Sequence, residues 1–189
     1  HRDLHSFPTR RSSDLWVKWR EFRNHSRVFH FADASLHVTV MNRGTSSTLW
    51  FEQFARPPVD DLRTTSGPEV LRLDEWQHIA VVAGTNLLRM YLNGSLIATD
   101  SQAVNWRPDP APPQKNLLGR SLFKDASNAG SDADFNGQMD EVRIWVGERT
   151  AEQIRENMAR KLTGGEPGLV GLWNLDRKST RLNSSHRIR

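Results

Sequence analysis

Trp76-Gln-His-Ile-Ala-Val-Val-Ala-Gly-Thr-Asn-Leu-Leu-Arg-Met-Tyr-Leu-Asn-Gly-Ser-Leu-Ile-Ala-Thr99 is the stretch that decides the fold of this chain. It contains three strand-like runs separated by two groups of turn residues, namely His78–Ala83, Leu87–Leu92 and Ser95–Thr99. Asn93-Gly94 between the last two runs supplies the two positive-φ positions of a type I′ hairpin turn. The stretch therefore predicts an antiparallel β-meander and an all-β fold.

Further strand patterns lie on both sides of the meander. Leu36 to Val40 alternates apolar and polar residues with the period of a half-buried strand. Residues 57–68 read as a surface loop ahead of a short strand at Val70–Leu73, and a last strand is predicted at Leu169–Leu175. Many short strands at even spacing indicate a two-sheet antiparallel sandwich.

One helix is predicted late in the chain. Thr150 and Gln153 have the spacing of a capping box. Ile154, Met158 and Leu162 recur every four residues, which predicts a core-facing stripe. Gly164 and Gly165 are expected to end the helix.

Two sequence blocks resemble a known family. Trp-x-His-Ile-Ala-Val-Val with Leu-x-Met-Tyr-Leu-Asn-Gly, inside residues 76–94, is similar to the central hairpins of laminin-G-like domains. Phe135-Asn-Gly-Gln-Met-Asp-Glu-Val-Arg-Ile-Trp145, followed by Arg149–Ile154, is similar to their late part. The resemblance extends from Trp16 to Leu175 and implies a jelly roll of the concanavalin A-like lectin/glucanase superfamily.

The two ends differ in composition from the middle. Residues 1–15 and 176–189 lack apolar periodicity, and each resembles the translation of a common sequencing-adapter oligonucleotide. We therefore expect artefactual, disordered flanks around one domain at residues 16–175. The family's opening strand, an apolar run with Asp-Gly, is not found ahead of Trp16, so this domain is expected to lack its first strand.

Charge excludes nucleic acid as a partner once the flanks are set aside. The chain has 26 Lys+Arg and 22 Asp+Glu, a net charge of +4. Residues 1–15 hold three basic and two acidic side chains, and residues 176–189 hold five and one. The middle keeps 18 basic and 19 acidic side chains, a net charge of −1, which is not that of a nucleic-acid-binding surface. No apolar run is long enough to span a bilayer.

The sequence does not indicate an enzyme. Glucanases of the superfamily carry alternating carboxylates on one strand, whereas the acidic pairs here are adjacent and point to opposite sides of a strand: Asp60-Asp61, Asp74-Glu75 and Asp140-Glu141. Cysteine is absent, and the four histidines between Trp16 and Leu175 are scattered. Neither a nucleophile motif nor a zinc spacing is present.

Calcium is the one cofactor that the resemblance suggests. Many laminin-G-like domains bind Ca²⁺ at the rim of the sandwich through aspartates. Asp125, Asp132 and Asp134 supply hard oxygen ligands on one glycine-containing loop. The alternative interpretation is a solvated polar loop without a metal.

Tryptophans suggest where a sugar ring could stack. Four of the seven match core or seam positions of the family, namely Trp19, Trp76, Trp145 and Trp173. Trp50 lies in a predicted strand beside Glu52, and Trp106 opens a proline-rich loop. We predict Trp50 and Trp106 as ligand-binding residues.

The resemblance implies a function as well as a fold. It predicts a non-catalytic recognition or adhesion module of a larger secreted or surface protein, with carbohydrate or an extracellular protein as partner. A structural spacer without a ligand is the alternative. An accessory or catalytic domain of a β-glucan-active hydrolase comes after these.

Overall fold

A computed structural model describes residues 11–32, 36–55, 62–84, 87–101, 115–123, 132–175 and 187–188. These residues form two six-stranded antiparallel sheets and one helix, α1 (Ala151–Met158). Sheet A contains, in spatial order, β11 (Leu169–Trp173), β10 (Asn136–Val146), β1 (Arg11–Glu21), β6 (Gln77–Ala83), β7 (Leu88–Leu92) and β8 (Ser95–Asp100). Sheet B contains β12 (Arg187–Ile188), β9 (Lys115–Leu118), β2 (Arg27–Ala32), β3 (Leu36–Asn42), β4 (Thr48–Ala55) and β5 (Leu62–Glu69).

The predicted meander is confirmed as β6, β7 and β8, which are consecutive neighbours in sheet A. Asn93 and Gly94 have φ angles of 49° and 75°, as a type I′ turn requires. The side-chain oxygen of Asn93 also accepts a hydrogen bond from the backbone N–H of His78, at 2.8 Å. This bond joins the turn back to the start of β6.

The core lies between the two sheets, and strand alternation selects its members. The inward-facing residues of sheet B include Phe29, Val40 and Phe51, which are at most 1% exposed. They pack against inward-facing residues of sheet A such as Val17 and Ile79. The chain is thus an all-β jelly-roll sandwich with one short late helix, as predicted.

Two strands differ from the bounds expected from the sequence. β5 covers Leu62–Glu69, part of the predicted surface loop, whereas Val70–Leu73 contributes a single parallel bridge between Leu73 and Trp19. β5 forms because its backbone completes the ladder of β4 over five cross-strand pairs from Trp50 to Phe54. Pairing with the edge of β4 overrides the weak strand preference of this segment.

β1 begins at Arg11, five residues ahead of the boundary predicted at Trp16. Arg11 to Leu15 pair with β6 on one side, and Arg11 to Asp14 pair with β10 on the other, in the centre of sheet A. At the opposite end of the chain, β12 pairs with β9. The expected adapter origin of the flanks and the missing first strand stay predictions.

Helix α1 has the predicted start and an earlier end. Thr150 accepts a hydrogen bond from the backbone of Gln153 and completes the capping box. The helix ends at Met158, so Leu162 lies beyond it and packs with Trp145 and Leu169. The early end follows from Arg143, whose guanidinium donates to the carbonyls of Asn157 and Arg160, each at 2.8 Å.

Helix α1 covers the outer face of sheet A. Ile154 packs on Ala80, Val82 and Tyr91, and the indole of Trp16 donates to the carbonyl of Met158 at 2.9 Å. In the described part of the chain, no helix covers sheet B, and none is long and apolar enough to cross a membrane.

Candidate functional site

The outer face of sheet B is the face turned away from the core. It carries the residues of β2, β3 and β4 that alternate with the core members: Arg27, His30, His37, Thr39, Met41, Trp50 and Glu52. Most of them are polar or charged, although five of the seven are at most 4% exposed. A polar, enclosed sheet face is costly unless its groups are hydrogen-bonded or serve a ligand.

Trp50 is a partly exposed aromatic residue of this face. Its indole Nε1 donates a hydrogen bond to the hydroxyl of Ser66 on β5, at 2.8 Å. The guanidinium of Arg43 lies 4.6 Å from the ring centre, and the ring of His25 lies 6.1 Å away. These contacts fix the orientation of the indole, which is what a stacking surface requires.

Arg27 and Asp132 form an ion pair at the β2 side of the face. The Arg27 guanidinium donates to the carboxylate of Asp132, which also accepts from the hydroxyl of Ser121 at 2.6 Å. Burial lowers the pKa of Arg27, while Asp132 and Glu52 oppose that shift. The pair holds the segment containing Asp132 against sheet B.

Two histidines form the interior of the face. The backbone N–H of Leu122 donates to Nδ1 of His30 at 3.1 Å, so the proton of neutral His30 is on Nε2. This Nε2 lies 2.9 Å from Nδ1 of His37 and donates to it. Phe123 packs on both rings. Burial, together with Arg27 and His37, lowers the pKa of His30 to about 2.

Glu52 lies on the same strand and face as Trp50. It is 9% exposed, and its carboxylate makes no hydrogen bond to any residue within the described ranges. Burial raises the pKa of Glu52; Arg27 opposes this shift and Asp132 reinforces it. Within the described ranges, this carboxylate is therefore a hydrogen-bond acceptor without a donor.

The structure describes some of the residues that the sequence predicts as ligands and leaves others outside its described ranges. Trp50 lies on the outer face of sheet B, where a ligand could reach it, and its role stays a prediction. Trp106 and Asp125 fall outside the described residues. Of the two predicted tryptophans, only Trp50 is among the described residues, so the joint role of Trp50 and Trp106 stays a prediction.

The calcium prediction finds no support in the residues that the structure describes. Asp132 is engaged by Arg27 and Ser121, and Asp134 lies 4.0 Å from Arg120. No group of three or more potential ligands occurs there. The two described aspartates do not fit a metal on their own, and the calcium site stays a prediction that depends on Asp125.

Four residues of the face were not singled out from the sequence: Arg27, His30, His37 and Glu52. His30 and His37 are seven positions apart in the sequence, and this spacing alone does not predict that the two side chains are in contact. The signal was nonetheless present, since antiparallel pairing of β2 with β3 brings alternating residues of both strands to one face.

The acidic pair at 140–141 has structural partners on sheet A. Asp140 accepts hydrogen bonds from the backbone N–H groups of Glu141 and Leu175, at 2.8 and 3.0 Å. Glu141 pairs with the guanidinium of Arg143. Both carboxylates therefore serve the packing of sheet A, on the other side of the core from the candidate site.

Family comparison agrees with this architecture. The laminin-G-type model of the concanavalin A-like lectin/glucanases superfamily matches residues 3–155. The chain belongs to this superfamily, and the resemblance read from the sequence is confirmed. No curated protein sequence matches it.

Solved structures with similar folds include binding modules and parts of larger enzymes. A candidate carbohydrate-binding protein of Bacteroides ovatus has a TM-score of 0.70 at 16% identity, with 94% of this chain and 48% of that chain covered. The CBM40 module of the Ruminococcus gnavus IT-sialidase has a TM-score of 0.63 at 16% identity, with 78% of this chain and 82% of that module covered. That module has also been solved with sialyllactose. Domains LG4-5 of the mouse laminin α1 chain have a TM-score of 0.53 at 10% identity, with 74% of this chain and 36% of that chain covered. This chain therefore spans about half of the Bacteroides protein, and at these identities the similarity concerns the fold.

Proposed function

We propose that this chain is a non-catalytic recognition module that binds carbohydrate on the outer face of sheet B, at the side formed by Trp50 and Glu52. The observation that carries the proposal is the fixed, partly exposed indole of Trp50, next to a carboxylate without a hydrogen-bond partner among the described residues. An aromatic face beside a few polar groups is the usual composition of a sugar-binding site.

The two outer faces of the sandwich support this choice of surface. Helix α1 and the segment that follows it cover sheet A, where Ile154 and Leu162 are each 3% exposed. Sheet B presents Trp50 and Ser66 on a side that no described helix covers. The described residues that pack on sheet B, such as Phe123 and Asp132, contact His30, His37 and Arg27, whereas Trp50 contacts Ser66, Arg43 and His25.

A binding role fits the carboxylates of this face better than glycoside hydrolysis does. Hydrolysis requires two carboxyl groups that flank the scissile bond. Of the two described carboxylates here, Asp132 is neutralised by Arg27 and bonded to Ser121, which leaves Glu52 alone. The fold relatives that carry binding modules support the same conclusion.

The setting of the module is also part of the proposal. We infer a larger extracellular or surface protein as its parent, because binding and laminin-G-type modules of this fold occur in such proteins. Calcium is tested separately by thermal melting, since a cation that binds the folded state alone raises the midpoint. A higher midpoint in Ca²⁺ than in Mg²⁺ is the expected result, and equal midpoints would remove calcium from the proposal.

The test of carbohydrate binding is a glycan array followed by calorimetry on the strongest ligand. We expect Trp50→Ala to weaken binding at least tenfold, about 1.4 kcal/mol, because the stacking surface is lost. Trp50→Phe should keep most of the affinity, since a ring remains. Leu96→Ala is the matched control, because Leu96 is 54% exposed on sheet A.

The same experiment separates the alternatives. An array without any glycan ligand, together with binding to an extracellular protein, would replace carbohydrate by a protein partner. No ligand of either kind would favour the structural spacer. Glycan binding that Trp50→Ala leaves unchanged and Leu96→Ala abolishes would place the site on sheet A instead.

A further inference from the structure

The carboxylate of Glu52 is buried without a hydrogen-bond donor among the described residues. It lies on the outer face of sheet B, two residues after Trp50 on the same strand, and is 9% exposed. It accepts no hydrogen bond within the described part of the chain. Its oxygens are not among the fully enclosed side-chain atoms without a partner, which include Nε of Arg27 and Oε1 of Gln53.

The charges around Glu52 determine which ligand this carboxylate can accept. Arg27, the described cation that acts on Glu52, is already paired with Asp132, so its positive charge is compensated. His30 is neutral, because its pKa is lowered to about 2. The three charged groups Arg27, Asp132 and Glu52 sum to one negative charge when Glu52 is ionised. An anionic sugar brought here would meet net repulsion in a poorly solvated place.

We propose, on the basis of the carbohydrate-binding function above, that the ligand is an uncharged saccharide whose hydroxyl groups donate to the carboxylate of Glu52 while its ring contacts Trp50. A carboxylate offers two acceptor oxygens, which suits two neighbouring hydroxyls of one sugar ring. Hydrogen bonds to a charged acceptor are also stronger than those to a neutral one. Glu52 thereby sets a preference for neutral over acidic glycans.

Among the described residues, Arg43 is a cation in direct contact with Trp50, which would favour an acidic ligand. Along the β3–β4 hairpin it lies on the turn side of Trp50, whereas Glu52 lies on the opposite side. Its guanidinium is placed over the Trp50 ring, 4.6 Å from the centre. A sugar hydroxyl that reaches Glu52 therefore lies on the side of Trp50 away from the hairpin turn that carries Arg43.

The test compares each neutral glycan of an array with its sialylated counterpart, then measures affinities by calorimetry at fixed ionic strength. We expect the wild-type chain to prefer the neutral member of each pair. Glu52→Gln should weaken neutral ligands roughly tenfold, since one charged hydrogen-bond acceptor is lost. The same variant should bind sialylated ligands at least as well as the wild type does, because the repulsion is removed.

Glu69→Gln is the matched control, because it makes the same charge change at an exposed position of the same sheet. It should leave both affinities within about twofold. A wild-type preference for sialylated glycans that Trp50→Ala removes and Glu52→Gln does not alter would overturn this inference and leave the proposed function intact. An array without any Trp50-dependent ligand would overturn the proposed function itself.

Discussion

Arg143→Ala is expected to lower the free energy of unfolding by about 3–5 kcal/mol, because it breaks a buried charge network. The side chain of Arg143 is fully buried and donates to Asp14 at 3.2 Å, in addition to its bonds to two carbonyls at the end of α1. Asp14 also bonds His78 and the indole of Trp145. Removal of the guanidinium leaves a buried carboxylate short of its cation and takes a side-chain donor from two carbonyls, of which that of Asn157 keeps the backbone N–H of Arg160.

Urea unfolding followed by circular dichroism measures this loss. Arg143→Lys keeps the charge and not the planar donor fork, so it should lose less stability than the alanine variant and still fold. Arg160→Ala is the control, since only the backbone carbonyl of that exposed residue takes part. If Arg143→Ala lost less than 1 kcal/mol, the network would be dispensable and the end of α1 would need another cause.

Acidification is expected to destabilise the fold through His30. The pKa of His30 is lowered from 6.5 to about 2 in the folded state, so the unfolded chain binds a proton that the folded chain rejects. This contribution to stability is complete above pH 6.5 and decreases as the pH falls below it. Each pH unit below 6.5 lowers the free energy of unfolding by about 1.4 kcal/mol, so the loss reaches about 3 kcal/mol at a pH of about 4.5.

The comparison with His30→Gln separates the pH dependence that His30 causes from the pH dependence that titrating carboxylates cause. Glutamine can both accept from Leu122 and donate to His37, and it does not titrate. We expect the stability difference between wild type and His30→Gln to change by about 1.4 kcal/mol per unit between pH 6.5 and 4.5. His25→Asn serves as control, because asparagine tolerates the left-handed φ of 45° at that turn. A difference that is independent of pH would show that His30 is protonated in the folded state.

The fold could be predicted largely from local patterns. The Asn93-Gly94 turn and the capping box at Thr150 use only neighbouring residues, and both are confirmed. The end of α1 was missed because Arg143, eight residues before its first residue, takes the carbonyls of its last turn. β5 was missed for a similar reason, since it forms by pairing with β4 and not by its own preference.

The candidate site was less accessible to sequence reasoning. Trp50 stood out by composition, whereas the importance of Glu52 depends on burial and on which partners it lacks. The sequence predicts Asp132 as a metal ligand, whereas the structure pairs it with Arg27, 105 positions away in the chain. Contacts between residues so far apart in the chain depend on the order of strands in the sheets. No pattern among neighbouring residues predicts them.

The most direct test of the outer face of sheet B as the binding surface is an NMR titration of protein labelled with ¹⁵N at its seven tryptophans. The array's strongest glycan is added while the indole N–H signals are followed, and Trp50→Phe identifies the signal of Trp50. The account predicts that this signal shifts with saturation, while those of Trp16 and Trp145, bonded on sheet A, stay in place. Shifts of Trp16 or Trp145 with a stationary Trp50 signal would contradict it.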